Sequence, residues 1–291
     1  MSNGATQPGI VVGIDGSPQA NAALRWAVHE ATMRNVRLTL VHAAAQLPAV
    51  FTEQPEAAAQ QVLDDAIGVV EDMTDDHSRP RIASELISGA PVLALVELST
   101  RADMVVVGSR GNGPVKRLLL GSVSTGLVHH AHCPVAVIHR EDSSARSGPV
   151  LVGVDGSPAS DRATVIAFDE ASWRGTDLVA LYAWTDAEVP DLPSREWTGL
   201  TRTSWSALQS EAEETLSERL AGYRERYPDV TVQRVVVPNH PAQHLIERSE
   251  SAQLVVVGSH GRGGFEGMLL GSVSTAVVNA VNTPVIVARQ G

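Results

Sequence analysis

Two glycines three residues apart, Gly108 and Gly111, are followed after nine residues by Gly121-Ser122. The same spacing returns as Gly258, Gly261 and Gly271-Ser272. Glycine lets the backbone take positive φ and lets N–H groups approach an anion closely. Ser122-Val123-Ser124 and Ser272-Val273-Ser274 then read as helix openings. A helix N-terminus offers unpaired N–H donors and a favourable dipole, worth about 0.3–1 kcal/mol per charge. The chemistry these residues suit is the holding of a phosphate chain, with Ser122 and Ser272 adding hydroxyls. A plain glycine-rich turn from strand to helix, capped by serine, would use the same residues.

Each glycine group has an acid to go with it. Asp15 and Asp155 close the segments Val11-Val12-Gly13-Ile14 and Leu151-Val152-Gly153-Val154. A carboxylate at a strand end can accept bonds from ribose hydroxyls or bind magnesium. It can equally bond the local turn. Ser17-Pro18 and Ser157-Pro158, just beyond, read as helix cap and first helical residue. No G-x-x-x-x-G-K-[ST] loop occurs, and no G-x-G-x-x-G follows the first strand. The basic groups near the loops are Arg110, Arg117, His260 and Arg262, and they do not match between copies. Arg110 and Arg262 can reach phosphates or remain solvated loop charges.

Other reactive residue types carry less. His129, His130, His132 and Cys133 have the side chains of a metal site without its spacing, and the second copy has Asn279, Ala280, Asn282 and Thr283 there. His240 and His244 lack a third ligand in sequence. Cys133, before Pro134, reads as a buried apolar residue. Trp184, Trp197 and Trp205 fall in a longer second-half stretch and suit core or loop packing.

The elements that must position these groups are also written twice. The strand-end acids repeat at an offset of 140, and the glycine groups at 150. Such a period is a duplicated domain rather than a solenoid. The ten extra residues are placed around 185–204, and the polar stretch Glu141–Gly148 reads as a linker. Domains of 1–144 and 145–291 follow, each large enough for its own core. Val105-Val106-Val107 and Val255-Val256-Val257 have the continuous apolar character of strands covered on both faces. Strands are expected at about 9–14, 37–43, 81–88, 103–108 and 134–139, alternating with helices. This predicts an α/β fold of two tandem doubly wound parallel five-stranded sheets, strand order 3-2-1-4-5. Ligands then bind beyond strands 1 and 4, where the order reverses.

Composition narrows the partners. The net charge of −11 argues against duplex nucleic acid. A single cysteine allows no intrachain disulfide and fits a reducing compartment. No apolar run has the length to cross a bilayer and the first residues lack a signal-peptide pattern, so the cytoplasm is expected.

The motif Gly108-x2-Gly111-x9-Gly121-Ser122, with Val11-Val12-Gly13-Ile14-Asp15-Gly16-Ser17, resembles the ATP-binding universal stress proteins. Both halves match, so the resemblance covers nearly the whole chain in the tandem form. It implies the adenine nucleotide alpha hydrolase-like fold and one ATP per half, with magnesium as companion through Asp15 or Asp155. The implied contacts at strand 1 are Gly13, Asp15, Gly153 and Asp155. Val41 and Leu181 are the strand 2 positions beside adenine. Gly108, Gly111, Gly113, Gly121, Ser122 and Val123 form the first loop, and Gly258, Gly261, Gly263, Gly271, Ser272 and Val273 the second. The residues between complete the candidate set: Ser109, Arg110 and Asn112, then Ser259, His260 and Arg262. Pro114 stands where the second loop has Gly264, removing one donor.

The resemblance also implies edge pairing through strand 5, within the chain or in a homodimer, and an unidentified regulatory protein partner. It points to a sensor or regulator of stress survival and growth. The other reading is a slow ATP hydrolase or nucleotidyl-transfer enzyme. No matched lysine, general base or transition-state arginine recurs in both halves, which favours binding over turnover.

Overall fold

The computed structural model describes residues 9–44, 55–75, 79–111, 120–140, 147–184, 202–262 and 270–289. Asn112, Gly113, Pro114, Arg117, Trp197, Gly263 and Gly264 lie outside them, as do most of the expected linker and insertion.

The first half runs β1 (Ile10–Gly13), α1 (Pro18–Arg34), β2 (Leu38–Ala44), α2 (Pro55–Met73), β3 (Ile82–Ser88), α3 (Pro91–Ser99), β4 (Met104–Gly108), α4 (Ser122–His130) and β5 (Val135–Ile138). The second runs β6 (Val150–Val154), α5 (Pro158–Arg174), β7 (Leu178–Ala183), α6 (Arg202–Arg219), α7 (Tyr223–Arg226), β8 (Val232–Val237), α8 (Pro241–Ser249), β9 (Leu254–Gly258), α9 (Ser272–Ala280) and β10 (Val285–Ala288).

The serine-proline pairs start the first helix of each half. Ser17 Oγ accepts from Ala20 N at 3.1 Å, and Ser157 Oγ from Ser160 N at 3.2 Å. Proline fills the first helical position, where its missing N–H costs nothing. Both helices end on a left-handed residue, Asn35 and Gly175. Inside each helix a buried glutamate meets an arginine one turn on, Glu30–Arg34 at 3.1 Å and Glu170–Arg174 at 3.0 Å. The helical faces of Ala20, Ala23, Leu24 and Ala27 and of Ala163 and Ala167 are buried.

The chain divides into two compact units. In the first, the parallel sheet has the order β3-β2-β1-β4-β5. In the second, it runs β8-β7-β6-β9. Both are doubly wound α/β sheets, as the sequence predicts. Val105, Val106, Val255 and Val256 are fully buried, as strands sandwiched between helices require. Burying such a side chain is worth about 1.5–3 kcal/mol.

The residues from Val278 onward belong with the first unit. There β10 lies antiparallel to β5, with Val285, Ile286 and Val287 opposite Val137, Ala136 and Val135. The β5 residues are consequently buried at what would otherwise be a sheet edge. Arg289, just past β10, donates to the Ala131 and Val128 carbonyls at 2.6 and 2.5 Å, at the C-terminal end of α4. No helix among the described residues is long and apolar enough to cross a membrane.

Candidate functional site

Strand register brings the expected contacts to one level. Gly13 is paired with Val41, and Gly153 with Leu181, at the carboxyl ends of adjacent strands. Val41 and Leu181 are each only 1% exposed, so they form an apolar floor. Gly13 and Gly153 keep that floor open. A Cβ on Gly13 would stand 3.2 Å from Leu95 Cδ1, and one on Gly153 3.2 Å from Leu245 Cδ1.

Two residues on, each acid bonds its own turn. Asp15 Oδ1 accepts from Ser17 N at 3.0 Å, and Asp155 Oδ1 from Ser157 N at 2.8 Å. The local turn bond that the sequence left open therefore exists. It takes one oxygen, and the other faces the glycine loop. A Cβ on Gly261 would come 2.7 Å from Asp155 Oδ2, and one on Gly111 would collide with Asp15 Oδ2. Only glycine lets the loop close onto the acid.

The loop begins equally tightly. A Cβ on Gly108 would meet the Gln19 backbone at 2.7 Å, and one on Gly258 the Ala159 backbone at 2.9 Å. Gly121 N donates to Ser109 O and Gly271 N to Ser259 O, both at 2.7 Å, which closes each loop on itself. Ser124 Oγ donates to Gly108 O at 2.6 Å and Ser274 Oγ to Gly258 O at 2.5 Å, fixing the next helix to the strand end. These second serines are the site's hidden anchors. They stand inside the repeated Ser-Val-Ser, where they read only as part of a helix opening.

The helix starts differ in a telling way. α1 and α5 satisfy their own first turns through serine. α4 starts after Gly121, which makes no side-chain cap bond. Among the described residues no side chain caps its first turn, whose N–H groups suit an outside acceptor such as an anion. Ser122 and Ser272 are exposed, and Val123 and Val273 half-buried, at this mouth.

In the second unit these parts enclose a cavity of about 540 Å³. That is the size range of small-molecule sites. Gly153, Asp155 and Leu181 line it from the strands, Gly258, His260, Gly261 and Arg262 from the loop, and Gly271, Ser272 and Val273 from the helix start. Ser259 does not line it. Its side chain is buried, with Oγ 3.0 Å from His260 Nδ1. The matching Ser109 is fully buried, and its Oγ has no hydrogen-bond partner among the described residues. Arg110 is exposed, and its charge reaches back toward His139.

The cavity's other wall comes from α8, through His240, Gln243 and Leu245. Repeat matching missed it, because α3 carries Ala90, Leu93 and Leu95 at those places. Only Leu95 matched Leu245, and a shared leucine on an amphipathic helix reads as core.

Arg262 does not extend toward the helix start. Its Nε donates to Asp155 O, and its Nη2 to Tyr182 Oη at 3.0 Å. Among the described residues no three His, Cys, Asp or Glu side chains gather as a metal site. Among the described residues, the carboxylate facing each glycine loop is the strand-end acid, Asp15 or Asp155.

Comparison with known proteins agrees with this architecture. The universal stress protein family profile matches residues 9–139 and again 147–289. A universal stress protein of Mycobacterium tuberculosis H37Rv is 50% identical, covering 100% of this chain and 99% of its own. One from Mycobacterium bovis is 49% identical over 100% of both chains. The crystal structure of a universal stress protein from Archaeoglobus fulgidus shares the fold at a TM-score of 0.69 and 21% identity, covering 98% of this chain and 100% of that one. With two family matches spanning both halves, and relatives of this identity along its whole length, the chain belongs to the universal stress protein family.

Proposed function

We propose that this chain binds ATP in two crevices, one per half, and acts as a nucleotide-dependent sensor or regulator in stress response and growth control. The observation that supports this most is the pairing of a self-closed glycine loop with an uncapped helix start, opposite a strand-end acid. Adenine lies on the floor of Val41 or Leu181, ribose meets Asp15 or Asp155, and the phosphates meet Gly108 to Val123 or Gly258 to Val273. Magnesium accompanies the triphosphate, with the strand-end acid, Asp15 or Asp155, in reach.

The cytoplasm is the proposed compartment, and domain limits of 1–144 and 145–291 the proposed division. A homodimer and a protein partner that reads the bound state complete the reading. The protein acts by binding, since no cation or base recurs in both crevices to drive phosphoryl transfer.

The test is calorimetric titration of ATP with single-turnover cleavage measured alongside. Two sites per chain and no cleavage faster than ~0.1 per second are expected, against a median enzyme near ~10 per second. Faster cleavage supports the hydrolase or nucleotidyl-transfer reading instead. Asp15→Ala with Asp155→Ala is expected to abolish binding while the fold persists. Full retention of ATP by that variant removes both acids from the site.

A further inference from the structure

The two crevices differ on the face behind the acid. In the second unit Tyr182 follows the floor residue Leu181 and is only 5% exposed. Two guanidinium groups lie on its ring, Arg262 at 5.4 Å and Arg219 at 6.0 Å from the centroid. Arg262 also holds the Asp155 carbonyl and the tyrosine hydroxyl. Arg219 reaches in from the end of α6 and fills the space where a side chain on Gly156 would begin. Its Nε is buried and has no hydrogen-bond partner among the described residues. Among the described residues neither arginine has a carboxylate within ion-pair distance. In a chain of net charge −11, two cations on one ring with no carboxylate beside them among the described residues are suited to an anion.

Among its described residues the first unit has none of this. His42 holds the place of Tyr182 and donates from Nδ1 to Ile14 O at 2.7 Å. Val62 from α2 lies where Arg219 lies, 4.0 Å from a Cβ on Gly16. The match to Arg262 is Asn112, outside the described residues. The difference is therefore a local one, built around Asp155 and Gly156.

We propose that the second crevice carries an extra anion subsite, formed by Arg219 and Arg262 on Tyr182, that takes a phosphate borne by the ribose of an adenine nucleotide. This rests on the nucleotide reading above, which sets the ribose at Asp155. A phosphate on the 2′ or 3′ oxygen then projects past the acid toward the two guanidinium groups. Charge-assisted bonds from arginine to phosphate are the strong kind, and an orphaned buried Nε gains a partner. The first crevice, with a valine and a histidine there, takes nucleotides without that group.

The full chain is titrated calorimetrically with AMP, adenosine 2′,5′-bisphosphate, adenosine 3′,5′-bisphosphate and ATP. One bisphosphate is expected to bind at one site per chain, about tenfold or more tighter than AMP, in keeping with charged hydrogen bonds. Arg219→Met is expected to erase that advantage while leaving two ATP sites and the melting curve intact. Arg219→Lys is expected to keep part of it. Which bisphosphate wins identifies the ribose oxygen. Equal affinity of both bisphosphates and AMP, or an advantage that survives Arg219→Met, overturns the subsite. If ATP still binds twice in that case, only the subsite falls. If ATP binds nowhere, the nucleotide reading falls and the subsite with it.

Discussion

Gly126 in α4 lies directly beneath Val92 in α3: a Cβ on the glycine would stand 2.5 Å from Val92 Cγ1 and 3.1 Å from Cγ2. The equivalent pair in the second half is Ala276 and Ala242. One half sets a large residue on a small one, and the other has an alanine at each of the two matching positions. The valine-glycine pair carries one more side-chain carbon than the alanine pair, and in close packing a large residue is accommodated by a small one opposite.

Gly126→Ala alone is therefore expected to destabilise, although alanine is the better helix former by about 1 kcal/mol. Valine is stiff at χ1 and cannot turn aside. Overpacking costs of about 1–3 kcal/mol leave a net loss in urea unfolding. Val92→Ala with Gly126→Ala reproduces the second-half pair and should recover most of it, giving a coupling of at least ~1 kcal/mol. Additive single effects would show that the two helices can move apart.

Ser17 and Ser157 cap equivalent helices, and among the described residues Ser157 alone does a second task. Its hydroxyl donates to His260 O at 3.1 Å, tying the glycine loop to the helix start. Ser17→Ala should cost about 1 kcal/mol, the usual worth of a cap. Ser157→Ala should cost about 0.5–1.5 kcal/mol more. Amide exchange at His260 and Gly261 should also quicken in that variant, which hydrogen-exchange mass spectrometry reads directly. Equal costs, with exchange unchanged, would show the loop tether to be idle.

His139 makes the first unit sensitive to acid. Burial, helped by the Arg110 charge and opposed by a backbone hydrogen bond at Val278, pushes its pKa down to about 4. The unfolded imidazole titrates near the ordinary 6.5. Below pH 6.5 the unfolded chain gains a proton that the folded chain refuses, so stability falls with pH and levels off under pH 4. The contribution is complete above pH 6.5. The loss is on the order of 1–3 kcal/mol between pH 7 and 4. His139→Gln should flatten that part of the profile relative to the parent in urea melts at each pH. Parallel profiles would assign the acid sensitivity to other groups.

The parts legible in the sequence were those written twice. Val105–Val107 and Val255–Val257 announced central strands, Ser17-Pro18 and Ser157-Pro158 announced helix starts, and the glycines announced a close backbone approach. Matching one half against the other is blind to what they do not share. His240 and Gln243 face the second cavity from α8, but Ala90 and Leu93 stand opposite them in the alignment of halves. Arg219 is far from every glycine in sequence and reaches Gly156 only because α6 packs beside β7 and β8. Arg262 was visible as a cation near the loop. Its turn toward Tyr182 depends on a ring contributed by another strand. Local chemistry was readable, and the choice of neighbour across elements was not.

The antiparallel partner of β5 is made after the entire second half, and so is Arg289, which holds the last carbonyls of α4. A ribosome therefore releases the first sheet with a bare valine-rich border and a helix loose at its tail. That same helix opens onto the first glycine cradle at its other end. The nascent first half must wait, exposed to misassociation and to chaperones, until β10 arrives. A chain cut before β10 would leave the β5 border unpaired and the tail of α4 without its arginine.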